Sequence, residues 1–184
     1  MHSGPLPYPD PPLRDGRIGL RRWSEGDIEC VRLAGTDPRI LDGTSVPAGF
    51  TPAKGMDFVR RQWSRVENGE GVTQAIVEQD TDRAIGLMWV ALRPQTHVGG
   101  LGYWIVPQER GRGAATAAVR LVVPWASRAL NLNRIEAWVE PDNLPSQRVL
   151  LSAGFQQEGR LRNFLTVDGS ATDALVFSSI SPER

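Results

Sequence analysis

Apolar residues fall along the chain in two spacings, and each spacing predicts its own elements. In Arg17–Trp23, Ile18, Leu20 and Arg22 alternate against Gly19 and Arg21, the period of a strand. Runs rich in β-branched and aromatic residues predict further strands at Val72–Gln79, Arg83–Leu92, His97–Val106, Arg134–Glu140, Phe155–Leu165 and Ala171–Ile180. Helical spacing appears first after Ser24, a cap for a helix to about Gly35 with Ile28, Val31 and Leu33 inward. Thr51-Pro52 starts a second helix, to about Asn68, with Met56, Val59 and Trp63 on one face. A long helix over 111–130 carries Ala114, Ala118, Leu121, Val122, Trp125 and Ala129 on one face, with Pro124 expected to kink it or leave a carbonyl unpaired. Asn143 caps a short helix through Ala153.

Between these elements the pattern breaks. Asp37-Pro38 stops the first helix, and residues 38–50, rich in Gly, Pro, Thr and Ser, read as a long loop that shapes a substrate side. Gly99, Gly100 and Gly102 suggest a bulge or a close ligand approach in their strand. Residues 1–13 hold five prolines by Pro12 and read as an extended arm without a packed core; residues 14–184 are the domain. The order β-α-α-β-β-β-α-β-α-β-β is an α+β architecture with a mixed sheet of six to seven strands and helices on both faces. Val98–Val106 pairs in parallel with Arg134–Glu140 through the crossover helix.

Composition narrows the partners. The chain has 184 residues, which suits one domain, and is 40% hydrophobic and 23% charged, ordinary for a soluble globule. Lys plus Arg and Asp plus Glu both number 21, so no global field draws nucleic acid or an anionic membrane. The one cysteine, Cys30, sits in an apolar helical pattern and reads as a core residue. No apolar run spans a bilayer and no signal-peptide pattern opens the chain, so a cytoplasmic location is expected. No His/Cys cluster has metal-ligand spacing, so no metal is expected, and His2 lies in the arm, away from any chemistry.

The densest chemistry lies in Gln108-Glu109-Arg110-Gly111-Arg112-Gly113-Ala114-Ala115, between a buried strand and an amphipathic helix. Glycines let backbone approach a ligand closely, and the first amides of a helix point outward with the positive end of its dipole. Arg110 and Arg112 add charge, so the stretch predicts a phosphate site, best matched by a pyrophosphate. It is not a dinucleotide fingerprint, because Thr116 stands where the third glycine belongs. Nor is it a P-loop, because the only lysine is Lys54.

Gln-x-x-Gly-x-Gly after a strand resembles the acyl-CoA pyrophosphate loop of the GCN5-related N-acetyltransferase (GNAT) superfamily. Asn143-x-x-Ser146, followed by Gly154-Phe155, is similar to that superfamily's second motif, at its usual distance from the loop. With Gly102-Tyr103-Trp104-Ile105-Val106-Pro107, the chain resembles the branch of ribosomal-protein N-terminal acetyltransferases, over roughly residues 14–180. The resemblance implies acetyl-CoA as cosubstrate, an amine acceptor that is a protein N-terminus or a small molecule, and direct attack on the thioester. It implies that the amides from Arg110 to Ala115 hold the pyrophosphate, and that Gln108, Gly111, Arg112, Gly113 and Ala114 build that loop. It also implies that backbone groups of Ile105 and Val106 bind the pantetheine arm in a cleft between splayed central strands, with Asn143 beside them. A homodimer, common in this branch, is a further expectation.

Two positions depart from the branch. The tyrosine that serves many members as acid is Leu150 here, leaving Ser146 as the nearest hydroxyl in the motif. The glutamate of Glu-x-Gly-Tyr is Gly100 here, leaving His97, Glu78, Glu140, Asp142 or a water chain as the base. The competing reading, fed by these two departures, is a CoA-binding sensor without turnover. Trp89, Trp104 and Trp138 are expected in the core, with Trp104 also able to touch the cleft, and Arg160, Arg162 and Asn163 are candidate substrate contacts.

Overall fold

The computed structural model describes residues 4–167 and 169–181; His2 and Asp168 lie outside them. Its strands are β1 (Leu13–Arg14), β2 (Ile18–Arg21), β3 (Gly71–Glu78), β4 (Ala84–Leu92), β5 (Val98–Ile105), β6 (Arg134–Val139), β7 (Gln156–Val167) and β8 (Ser170–Ile180). Its helices are α1 (Ile28–Ala34), α2 (Pro38–Gly43), α3 (Pro52–Glu67), α4 (Ala114–Ala129) and α5 (Leu144–Ser152). The strands form one sheet in the order β1-β2-β3-β4-β5-β6-β8-β7. It has eight strands, where the sequence predicts six to seven: the pair Leu13–Arg14 is too short to show a period.

Every neighbouring pair is antiparallel except β5 with β6. That parallel pairing covers only Val98↔Arg134, Gly99↔Ile135 and Gly100↔Glu136. Past this point β5 stays paired with β4 and β6 with β8, but not with each other, so the sheet opens at its middle. The long crossover needed for parallel neighbours is α4. Gly113, left-handed at φ 80°, stands at its N-cap, and Pro124 lies inside it without ending it. With no N–H on Pro124, the Arg120 carbonyl loses its intrahelical donor.

Side-chain alternation then sorts the two faces. Trp104 packs with Trp23 and with Phe58 of α3, at ring-centroid separations of 6.1 and 6.4 Å. Its neighbours Tyr103 and Ile105 point to the opposite face. Leu20, Ile76, Met88, Ile135 and Phe177, from five strands, are buried at 0% exposure, so the sheet carries one continuous core. Cys30 is in that core, and burial pushes its thiol pKa up, away from reactivity.

Three sequence expectations are corrected. Residues 38–50 begin as a helix: Pro38 sits in the first turn of α2, and the Asp37 carboxylate accepts from the Arg39 amide at 2.9 Å. Thr51-Pro52 starts α3 in the same way, so the same pair of a capping residue and a proline opens a helix at both places. Next, β5 pairs with β4 without a register shift, so of the two readings of its glycines the bulge is excluded, while Gly102 lies on the cavity described below. Finally, the arm is packed against the body. Leu6 is 5% exposed within the core, its N–H donates to the Val66 carbonyl at 3.0 Å, and Tyr8 packs beside it. The buried face of α3 is Gly55, Phe58, Val59, Gln62 and Val66, a little rotated from the one expected. Among the described residues no helix is long and apolar enough to cross a membrane.

Candidate functional site

A cavity of about 730 Å³ fills the gap between β5 and β6. One wall is the end of β5, from Leu101 to Ile105, and the other is Ala137 to Glu140. Its far end is closed by Arg110, Gly111, Gly113, Ala114 and Ala115, the start of α4. Asn143, Ser146 and Val149 come from α5, while α2 brings Arg39 and Asp42 and β7 brings Leu165–Val167. The sheet thus gathers both sequence motifs at one opening, although twenty-seven residues of chain, 116–142, separate them.

The loop is held by buried charge. After β5 a short 3-10 turn, Pro107–Glu109, turns the chain, and Glu109 is 8% exposed. Arg83 donates to one of its carboxylate oxygens at 2.8 Å and Arg112 to the other at 2.7 Å. Gly111 and Gly113 follow with φ of 76° and 80°. An added Cβ at Gly111 would meet nothing within 4 Å, so the glycine is required for its left-handed backbone, not for close packing. The first amides of the sixteen-residue α4 then face the cavity without intrahelical acceptors. Arg17 adds a cation at this end, with Nη1 3.2 Å from the Arg112 carbonyl.

Arg110 does something the motif does not foretell. Its Nε donates to the Ile105 carbonyl at 2.9 Å, and its Nη1 pairs with Asp37 at the head of α2. Burial alone would raise the Asp37 carboxyl pKa; the Arg110 guanidinium and the Arg39 amide outweigh it and hold the group below the usual range. Val106 donates its N–H to the Ile85 carbonyl at 2.9 Å, which turns that group away from the gap. The expectation for Val106 is therefore corrected: its amide is spent in the sheet. The Ile105 carbonyl faces the gap and is covered by Arg110.

Asn143 caps α5, its Oδ1 accepting from the Ser146 amide at 3.2 Å. The Ser146 hydroxyl lies 2.8 Å from the Tyr103 hydroxyl, and the Tyr103 hydroxyl also lies 3.2 Å from the Ser146 carbonyl. Burial pushes the Tyr103 phenol up to about 12, against a smaller lowering by its hydrogen bond with the Ser146 hydroxyl. Leu150 is fully buried in the core, so the branch's tyrosine position does not reach the cavity as a donor.

His97 is not part of this site. It precedes β5, with Nδ1 donating to the Asn131 carbonyl at 2.7 Å, while the loop follows the other end of β5. Eight strand residues put roughly 25 Å between them. His97 does not line the cavity and its Nδ1 is taken by the Asn131 carbonyl, so the site gives its expected role as base no support. Glu78 is bound by Arg83 and Thr81 outside the cavity, and Asp142 is exposed, which leaves Glu140 as the one of those carboxylates on the lining. Arg160 is paired with Asp173, whose carboxylate also takes the Asn163 amide, and neither residue lines the cavity.

Gly100 has a local reason. A Cβ there would lie 2.6–2.8 Å from the Arg93 guanidinium. That guanidinium stacks 3.8 Å over the Trp138 ring, and Phe164 meets the same ring edge-on at 4.6 Å. Trp138 Nε1 donates to Glu136 at 3.0 Å, so the ring stands locked as a wall of the cavity. A cation occupies the place where the branch has a carboxylate. Trp138, expected in the core, is half-buried on the cavity wall, and Tyr103, Trp138 and α2 carry no sign of a site role in the sequence beyond the Asp-Pro cap of α2.

Residues 17–156 match the acetyltransferase (GNAT) domain family. The uncharacterized N-acetyltransferase p20 of Bacillus licheniformis is 29% identical over 168 residues, 91% of this chain and 94% of that one. The [ribosomal protein uS5]-alanine N-acetyltransferase of Escherichia coli is 28% identical over 92 residues, 50% of this chain and 47% of that one. Mycobacterium smegmatis RimJ, solved in complex with CoA-disulfide, superposes with a TM-score of 0.79 at 26% identity, covering 92% of this chain and 86% of that one. With a split sheet, a helix start facing the gap and a family match over most of its length, the chain belongs to the acetyltransferase (GNAT) family and is an N-acetyltransferase.

Proposed function

We propose that the protein moves an acetyl group from acetyl-CoA to a primary amine, a protein N-terminus or a small amine, by direct attack of the amine on the thioester. The observation that carries this reading is the cavity itself. A gap that leaves a strand edge unpaired and ends on the first amides of a sixteen-residue helix suits an extended ligand with an anion at one end. RimJ of M. smegmatis, similar in fold, was solved with a CoA derivative.

In this reading the amides from Arg110 to Ala115 hold the pyrophosphate, with Gln108 and Arg112 shaping the loop. The Ile105 carbonyl takes the pantetheine amide once Arg110 releases it. Asn143 holds the first turn of α5 in place, and its dipole favours the departing thiolate beside Ser146. Ser146 is the acid toward that sulfur. The acceptor enters along α2, Trp138 and Leu165–Val167, the walls that neither motif supplies.

The test is thiol release from acetyl-CoA over a panel of peptides with free N-termini and small amines, with CoA binding followed by calorimetry. Release on any acceptor supports the reading. Absence of CoA binding overturns it, and binding without release over both acceptor classes favours a sensor.

A further inference from the structure

Transfer from thioester to amine moves one proton. As the C–N bond forms and the C–S bond breaks, the nitrogen sheds a proton and the sulfur gains one. In this chain the side chains that would do this separately are absent: Gly100 offers no carboxylate, and Leu150 offers no hydroxyl. Between the strand and α5 stand two touching hydroxyls, Tyr103 and Ser146, both on the cavity wall and 2.8 Å apart.

We infer that Tyr103 and Ser146 form one proton relay that carries the amine's proton to the departing sulfur. Tyr103 accepts the proton from nitrogen as it passes its own to Ser146 Oγ, and Ser146 passes its own to sulfur. Both hydroxyls end neutral, as they began, so no external acid or base is consumed. The direction follows from the fold. Ser146 is in the first turn of α5, where the helix dipole stabilises a thiolate, so sulfur belongs at the serine end. Tyr103, on β5, is then the member nearer the acceptor.

Tyr103 does not suffice as a simple acid. The phenol sits at about 12, whereas a thiol ionises near ~8.5, so a tyrosine that surrendered its proton to thiolate and stayed ionised would run uphill. Refilling from the nitrogen removes that barrier. The phenolic proton has two acceptors, and the nearer is Ser146 Oγ at 2.8 Å, against 3.2 Å to the Ser146 carbonyl. When it points to Oγ, the serine's own proton is free to point at the sulfur.

This inference rests on the function proposed above, and its test separates the two. The chain has two tyrosines, so protein labelled with carbon-13 at tyrosine Cζ gives two signals, assigned with Tyr103→Phe. Free CoA, whose thiol stands where the product sulfur does, should move the Tyr103 signal, and Ser146→Ala should abolish that movement while CoA still binds. CoA that binds and leaves the Tyr103 signal in place overturns the relay alone; CoA that fails to bind overturns both readings. In turnover, Tyr103→Phe and Ser146→Ala should each lower kcat by ~10²-fold or more, with CoA affinity within about twofold of the parent. The double variant should be no slower than the slower single one, because a relay broken twice is still one broken path. Multiplying losses would show two independent roles and sink the relay.

Discussion

At the scale of single residues, backbone conformation and hydrogen bonding decide most of what the site can do. Gly111 stands in open space at φ 76°, so its replacement separates strain from charge. Gly111→Ala should cost about 1–2 kcal/mol of stability, the penalty of a left-handed side-chain residue, with CoA affinity falling modestly. Gly111→Glu should add a carboxylate beside the pyrophosphate and weaken CoA by a further factor of ten or more, less so at high salt. Calorimetry on both variants checks this; equal affinities for the two would show that the phosphate lies elsewhere. Arg110 is the second informative residue. It covers the Ile105 carbonyl and holds Asp37, so Asp37→Asn should loosen it and change CoA affinity without touching the loop itself. Sequence could name Arg110 as a loop cation, because its type and place are written there. That its charge is spent on Asp37, seventy-odd positions away along the chain, could not be read, since pairing across elements depends on how they pack.

At the scale of elements, the edges of the sheet hold the testable weight. Leu6 docks the arm on the core, so removing residues 1–12 should destabilise the protein, and Leu6→Ala alone should cost about 2–3 kcal/mol in chemical denaturation. A fully retained stability would mean that Leu6 finds no such pocket in solution. At the other edge, Arg134 of β6 pairs with Glu136 and with Glu158 of β7, and Ser178 of β8 donates to Glu158 at 2.6 Å. Arg134 first, then Ser178, holds the Glu158 carboxyl down at about 2. A carboxyl lowered on folding stabilises the fold above its ordinary value near ~4.3, and that contribution drains away as pH falls from there toward about 2. Glu158→Gln should flatten this part of the acid limb in thermal scans from pH 5 to pH 2, with a smaller effect in high salt, because the pair is exposed. Helices with caps were legible at this scale. The two-residue β1 and the six-residue α2 were not, because neither is long enough to repeat its period.

At the scale of the whole molecule, the cavity exists because two parallel strands separate after three residue pairs. A ligand that fills this gap should stabilise the whole sheet, since it bridges halves that otherwise share only a short ladder. Acetyl-CoA and CoA should both raise the melting temperature, and at a hundredfold excess over Kd the gain should be ~2.7 kcal/mol. Thermal shifts with each, and with adenosine alone as a control lacking pyrophosphate, check the idea; equal shifts for adenosine and CoA would remove the loop from the account. The aromatic wall of Trp138, clamped by Arg93, Phe164 and Glu136, makes the acceptor side rigid, so selectivity there should follow the shape of the amine's substituent.

What the sequence by itself determined is local and periodic: the two motifs, most of the strands, the capped helices, and the order that leads to an α+β sheet with one crossover. These follow from side-chain spacing and turn chemistry, which act over a few residues. Only the tertiary structure decided what meets at the gap. It set Tyr103 against Ser146, put Arg93 in the space that Gly100 leaves, spent the Val106 amide on β4, and left His97 at the wrong end of its strand. Each of these depends on where two strands part and which face a neighbouring helix covers, and that is fixed by packing between residues far apart in the chain.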